Sequence, residues 1–292
     1  MTAPASPRQA WGVLWGAAFA AGLGAVHIGL ALGADPDGVV LGVTALAGLL
    51  LVAAERMAPQ RAAWLEPDGQ WWNDLGHFFI SFGLGSFMGA WLAQAAFRHG
   101  IWVVWPRNWP LPIQVVLGLV VAEFFGYWQH RWLHSSAVLW PLHALHHSTS
   151  RMTFFKATRI HAFDIGSFTF LSVGSLMALG AGADVVLWVT AFGNFAAQTQ
   201  HANVMLRTPE WLNRIVGTPA VHWLHHSLDL DEGNSNFGMN VMIFDHIFGT
   251  YRRPDDGPRA FGIQPDFVPR DFAGQLALPL EALRRLRNRR PS

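Results

Sequence analysis

The 292 residues contain no cysteine, only two tyrosines, and charged side chains at just 13%. Without cysteine the chain holds no disulfide, thiolate-ligated haem, cysteine-held iron–sulfur cluster or Cys-type zinc site. Soluble domains carry about 25% charge. The low charge here, beside 51% hydrophobic residues and a mean hydropathy of +0.24, excludes an ordinary soluble globule. The net charge of +1 says nothing about nucleic acid, but the interior of the chain lacks the basic stripe that such a partner needs. Also missing are a glycine-rich nucleotide loop after a predicted strand and a haem-binding His-Pro-Gly-Gly. Gly83-Leu-Gly85-Ser86 lies inside an apolar run and is no nucleophile elbow. No His-Glu-x-x-His is present, which removes the usual metalloprotease arrangement.

What the chain does have is apolar length. Apolar segments run over roughly 11–33, 38–54, 75–97, 112–129, 165–182 and 184–200. About 20 helical residues cross the hydrocarbon of a bilayer, and the 15 tryptophans suit interfacial anchoring. The last two segments are short and joined by Ala181-Gly182-Ala183-Asp184, as in a tight hairpin. The expected fold is all-α, a polytopic membrane bundle of about six crossings, or four plus that hairpin, with a cytoplasmic helical cap. The positive-inside rule puts Arg8, Arg56, Arg61, Arg131, Arg151, Lys156, Arg159, Arg207, Arg214, Arg252 and Arg253 on the cytoplasmic side. Residues 1–34 also offer a small-residue cleavage pattern before Asp35, but their apolar run exceeds the 7–15 residues of a signal peptide core. The expected organisation is an N-terminal membrane part over 1–110, a catalytic part over 111–256 and a basic tail over 257–292. Five arginines around Leu283 and Leu286 in the tail suit either anionic headgroups or water.

Ten of the 14 histidines fall between His130 and His226, and eight of these form three boxes. The boxes are His130-Arg-Trp-Leu-His134, His143-Ala-Leu-His146-His147 and His222-Trp-Leu-His225-His226. On a helix, positions i, i+3 and i+4 share a face, so each box presents its imidazoles from one side. Neutral imidazole is the commonest protein ligand of transition metals. Eight rings exceed one tetrahedral site, which favours two metals. Buried together without a metal, they would lose solvation with too few acceptors. Pro141 and Pro219 each open a box-bearing helix. His27, His77 and His99 read instead as single hydrogen-bonded residues.

The stretch from about Ala122 to Tyr251 resembles the fatty acid hydroxylase/sterol desaturase superfamily of integral membrane, non-haem di-iron enzymes. The likeness rests on HRWLH, HALHHS, HWLHHS and the downstream NSNFG and FDHIFGTY. It implies two iron ions (zinc being an alternative occupant of such rings), O₂ as co-substrate, and oxidation of an unactivated C–H bond of a lipid. Hydroxylation, desaturation and ether cleavage all occur among related proteins. It further implies that His201 is a ligand and that His161, found in only part of the family, is a candidate ligand. Asp245 is a candidate acceptor for a ligand imidazole, and Asn194, upstream of His201, a candidate for approaching the metals. His246 reads as structural. Glu123, ionisable within an apolar segment, is a functional candidate by position, its alternative role being a partner of Tyr127 or Arg131. Electrons would come from a separate ferredoxin or cytochrome with its reductase. A membrane-interface zinc hydrolase using Glu123, Asp164 or Asp245 as base, and a metal-binding or transport protein, are the competing readings.

Overall fold

The computed structural model describes residues 7–204, 208–254, 258 and 260–288. Arg207, Arg289 and Arg290 lie outside them. Among the described residues regular structure is helical, with three isolated β-bridges and no strand. Helix α1 (Pro7–Ala31) is followed by α2 (Pro36–Met57), whose start is set by Asp35. That carboxylate accepts from the Gly38 amide at 2.7 Å, and Pro36 occupies the first turn. Helix α3 (Trp71–Phe97) contains a π-helical stretch, His77–Leu84. Helix α4 (Leu111–Ser135) begins after Pro110 with Pro112 in its first turn. The short α5 (Trp140–His147), then α6 (Ala162–Ala178) and α7 (Ala183–Gln200) follow. Helix α8 (Pro219–His225), α9 (Ile243–Ile247) and α10 (Phe272–Asn288) follow, and short helical turns lie at Ala62–Leu65, Phe154–Ala157, Glu210–Asn213 and Leu230–Gly233.

Among the described residues three helices, α2, α3 and α4, are long and apolar enough to cross a membrane; Gly16–Ala31 and α6 are apolar but shorter. Their outward faces are apolar too, with Leu41, Leu49, Phe79, Phe87, Ile113 and Val116 all exposed. Such a surface is costly in water and suited to lipid. The expected hairpin is present as α6 and α7, turned at Gly180 with φ +82°. Helix α3 approaches α6 at backbone distance: a Cβ on Gly89 would stand 2.3 Å from the Gly166 carbonyl. Leu119 and Ala122 of α4 meet Leu176 of α6 and Val185 and Val189 of α7 in one core cluster. Val26, Val40, Ala191 and Phe195 join α1, α2 and α7 in another.

Polar side chains tie the long apolar helices to the segments between them. Glu55, buried near the end of α2, accepts from the amides of Phe154 at 2.8 Å and Asn203 at 2.7 Å. Lys156 pairs with Asp74, near the start of α3, at 2.5 Å. His77 is a hydrogen-bonded core residue as expected, with Nδ1 2.7 Å from Ser81 Oγ and Nε2 2.9 Å from Gln275 Oε1.

Candidate metal centre

The end of α4 carries His130 and His134, α5 carries the second box, and α8 with its cap carries the third. His201 follows the last residue of α7. Their ligand-type nitrogens fall into two groups: His130, His134, His143, His147 and His225 in one, and His146, His201, His222 and His226 in the other. Within each group these atoms all lie within 4.8 Å of one another. The groups adjoin, since the rings of His147 and His226 stack at 4.2 Å.

In the first group His130 Nε2 stands 3.0 Å from His143 Nε2, which is 3.1 Å from His147 Nε2. In the second, His201 Nε2 is 3.2 Å from Nε2 of His146, His226 and His222, and His222 and His226 are 3.0 Å apart. Two nitrogens bound to one ion at about 2.1 Å stand roughly 3.0 Å apart at a right angle and roughly 3.4 Å at the tetrahedral angle. The donor spacing therefore fits a shared ion in each group.

Proton positions support the same fit. His130 Nδ1 donates to the Phe237 carbonyl at 2.8 Å, His225 Nδ1 to the Ser235 carbonyl at 2.8 Å, and His143 Nδ1 to Asp164 Oδ2 at 2.6 Å. In a neutral ring the other nitrogen is then a bare lone pair. Burial holds His143, His146, His147, His201, His222, His225 and His226 well below the ordinary histidine value, with neighbouring rings adding to the effect. His130 and His143 thus face each other lone pair to lone pair, an arrangement a cation relieves. The buried Nε2 atoms of His134 and His225 have no hydrogen-bond partner, as expected of ligand atoms and costly otherwise.

The other expected residues take different places. His161 is outside both groups: its Nδ1 accepts from the Phe163 amide at 3.2 Å, capping α6, and its Nε2 lies 3.1 Å from the Leu276 carbonyl. Both of its nitrogens are thus engaged away from the two groups. Asp245 contacts no imidazole of the groups. It accepts from the Phe237 amide at 2.8 Å and the Gly238 amide at 2.7 Å, so it acts on His130 only through the Phe237 carbonyl. Glu123 partners neither Tyr127 nor Arg131; it accepts from the amides of Met239, Asn240 and Val241 at 2.7, 2.7 and 3.2 Å. Tyr127 OH meets Thr250 and Arg131 instead. Asn194, half-buried on α7, makes no hydrogen bond to these rings among the described residues. His246 Nε2 bonds the Arg214 carbonyl, a structural role.

Asp164 is the residue the sequence undervalued. Read there only as a base for a hydrolase, it holds His143 and is itself held by Gln129 Nε2 at 3.2 Å. Nothing in the spacing links residues 21 apart on different helices. The Ser235 and Phe237 carbonyls are invisible to residue-type patterns as well. Asn236, between them, adopts φ +56°; its side-chain Nδ2 donates to the Arg252 carbonyl and its Oδ1 accepts from the Arg252 amide. That positive φ, favourable for asparagine, turns the chain so that both carbonyls serve histidines.

Residues 115–250 match the fatty acid hydroxylase family profile. The ornithine lipid hydroxylase of Rhizobium tropici is 36% identical over 282 residues, covering 91% of this chain and 83% of its own length. A Delta(7)-sterol 5(6)-desaturase from Gibberella zeae is 34% identical over 51% of this chain and 41% of its own length. The alkylglycerol monooxygenase of Caenorhabditis elegans is 25% identical over 54% of this chain and 31% of its own. No solved structure matches the chain significantly. A relative of 36% identity that covers 91% of this chain, three histidine boxes in order and the closing NSNFG and FDHIFGTY strings make the chain a member of the fatty acid hydroxylase/sterol desaturase superfamily.

Proposed function

We propose that the protein is a membrane-bound, O₂-dependent oxidoreductase that hydroxylates or desaturates an unactivated C–H bond of a lipid at a di-iron centre. The observation that carries this reading is the 3.0 Å approach of His130 Nε2 to His143 Nε2, with both Nδ1 protons already donated elsewhere. Iron held there supplies the O₂ chemistry, which no side chain of this composition provides. His130, His134, His143, His147 and His225 hold one ion, and His146, His201, His222 and His226 the other. Asp164 and the carbonyls of Phe237 and Ser235 fix the ring orientations. Burial of the rings keeps them neutral and excludes water from the reacting carbon.

The relative that covers 91% of this chain acts, by its name, on ornithine lipid. An acyl chain of an aminolipid is accordingly the favoured substrate. Membrane helices α2, α3 and α4 bring it laterally to the cap, which lies on the cytoplasmic side. There a separate ferredoxin or cytochrome delivers electrons beside the cap arginines. A zinc hydrolase fits less well, because each carboxylate proposed as its base is committed. Glu123 and Asp245 are bound by backbone amides and Asp164 by His143.

Lipid mass spectrometry of cells with and without the gene, combined with labelled O₂, tests the reading. One oxygen from O₂ in a lipid product, or a new double bond formed with O₂ uptake, is expected. A hydrolysed lipid formed without O₂ uptake would overturn it.

A further inference from the structure

A cavity of about 390 Å³ opens where the chain leaves His147 and turns through Ser148–Arg151. Its size is within the range of small-ligand sites, about 300–1,000 Å³. Thr149, Lys156 and Arg159 line it, and they are only 5%, 4% and 6% exposed. The rim is formed by half-buried Arg151 and by exposed Asp266 and Arg270 from the segment before α10. Asp68 and Gln70 complete the wall just before Trp71, where the membrane-length α3 begins. One wall is thus contiguous with the second histidine box, and another with the mouth of a span.

The charges are unevenly answered. Lys156 Nζ lies 2.8 Å from Asp68 and 2.5 Å from Asp74. Arg159 Nη1 is 3.2 Å from Gln70 Oε1 and 3.5 Å from Asp74 Oδ1, but its buried Nε has no acceptor. Buried donors are rarely left so. With Arg151 and Arg270 the site has four cations against the three carboxylates of Asp68, Asp74 and Asp266. Guanidinium forks match carboxylate and phosphate oxygens in pairs.

We infer that this cavity binds the anionic group of a membrane-lipid headgroup, a carboxylate or phosphodiester. The lipid is held by its polar end at the mouth of α3, beside the histidine groups. This rests on the lipid-oxidation reading above and adds to it the site that selects a charged over an uncharged lipid.

The absence of cysteine supplies a clean probe. Ser150→Cys puts a single thiol on an exposed residue of the cavity lining. The full-length, metal-loaded protein in neutral detergent, labelled there with an environment-sensitive dye, is titrated with phosphatidylglycerol, diacylglycerol of the same chains, and inorganic phosphate. A saturable response to phosphatidylglycerol alone, weakened roughly tenfold by Arg151→Gln or Arg270→Gln, is expected for loss of a charge-assisted hydrogen bond. These rim variants carry the test even where the buried Arg159→Gln fails to fold. An equal response to diacylglycerol, unchanged affinity in both rim variants, or phosphate binding as tightly as the lipid would each overturn the headgroup site. Because binding is read without turnover, lost lipid binding beside intact lipid oxidation sinks this site alone. Intact binding by a metal-loaded protein that never consumes O₂ sinks the oxidation reading alone.

Discussion

Asp245 and Glu123 divide five consecutive backbone amides between them. Asp245 takes those of Phe237 and Gly238, and Glu123 those of Met239, Asn240 and Val241. The two carboxylates therefore pin the loop whose Phe237 carbonyl orients His130. The loop has no slack, since a Cβ on Gly238 would stand 2.7 Å from Asp245 Oδ2 and 2.8 Å from the Val241 carbonyl.

Glu123→Gln retains shape but puts an amide nitrogen where one carboxylate oxygen accepted. Leaving buried amides unpaired costs about 1–3 kcal/mol each, so the expected result is a lowered thermal midpoint together with reduced iron content. Gly238→Ala is expected to behave similarly through the steric clash. Thermal unfolding and elemental analysis of each variant check both. A Glu123→Gln protein as stable and as iron-rich as the parent would contradict the pinning role.

Asp164→Asn replaces the carboxyl partner of His143 Nδ1 without touching a histidine. Loss of such a partner typically lowers metal affinity or activity about 10–100-fold. Chelator competition followed by metal analysis reads the affinity directly, and wild-type retention of metal would contradict the assignment.

His146→Ala and His225→Ala each remove one ring, from different groups. Both are expected to abolish turnover while membrane insertion is kept. His161→Ala is expected to retain its metal, because that side chain caps α6 and bonds the Leu276 carbonyl. Metal loss in His161→Ala, in protein that is still folded, would return it to the ligand set.

The buried rings also set a pH dependence. Their folded values are depressed by burial below the ordinary 6.5. The unfolded chain therefore takes up protons first as pH falls. Stability of the metal-free protein is then fully present above about 6.5 and lost below it. Metal binding shares the direction, since protonated imidazole does not ligate. Unfolding midpoints across this window, with and without metal, provide the check; stability rising as pH falls would contradict the neutral-ring assignment.

Much of this site was legible because imidazole at i, i+3 and i+4 has one strong physical use, and prolines mark the helices that carry it. The helical class and the α6–α7 hairpin followed from apolar runs and their punctuation. Less could be read where function passes through backbone. His130 and His225 are oriented by carbonyls of residues more than a box away, and a carbonyl leaves no signature in residue type. Glu123 and Asp245 were noticed for their chemistry, yet their partners are amides, which every residue but proline supplies. His161 shares residue type with the ligands and differs only in what its two nitrogens meet. Among the described residues three helices combine length with sufficient hydropathy to cross a membrane.

The metal content of full-length protein purified without chelators tests the two-group arrangement most directly. Two iron ions per chain are expected, with His225→Ala and His226→Ala each losing metal from its own group. One ion per chain, or none under conditions where the protein oxidises lipid, would contradict it.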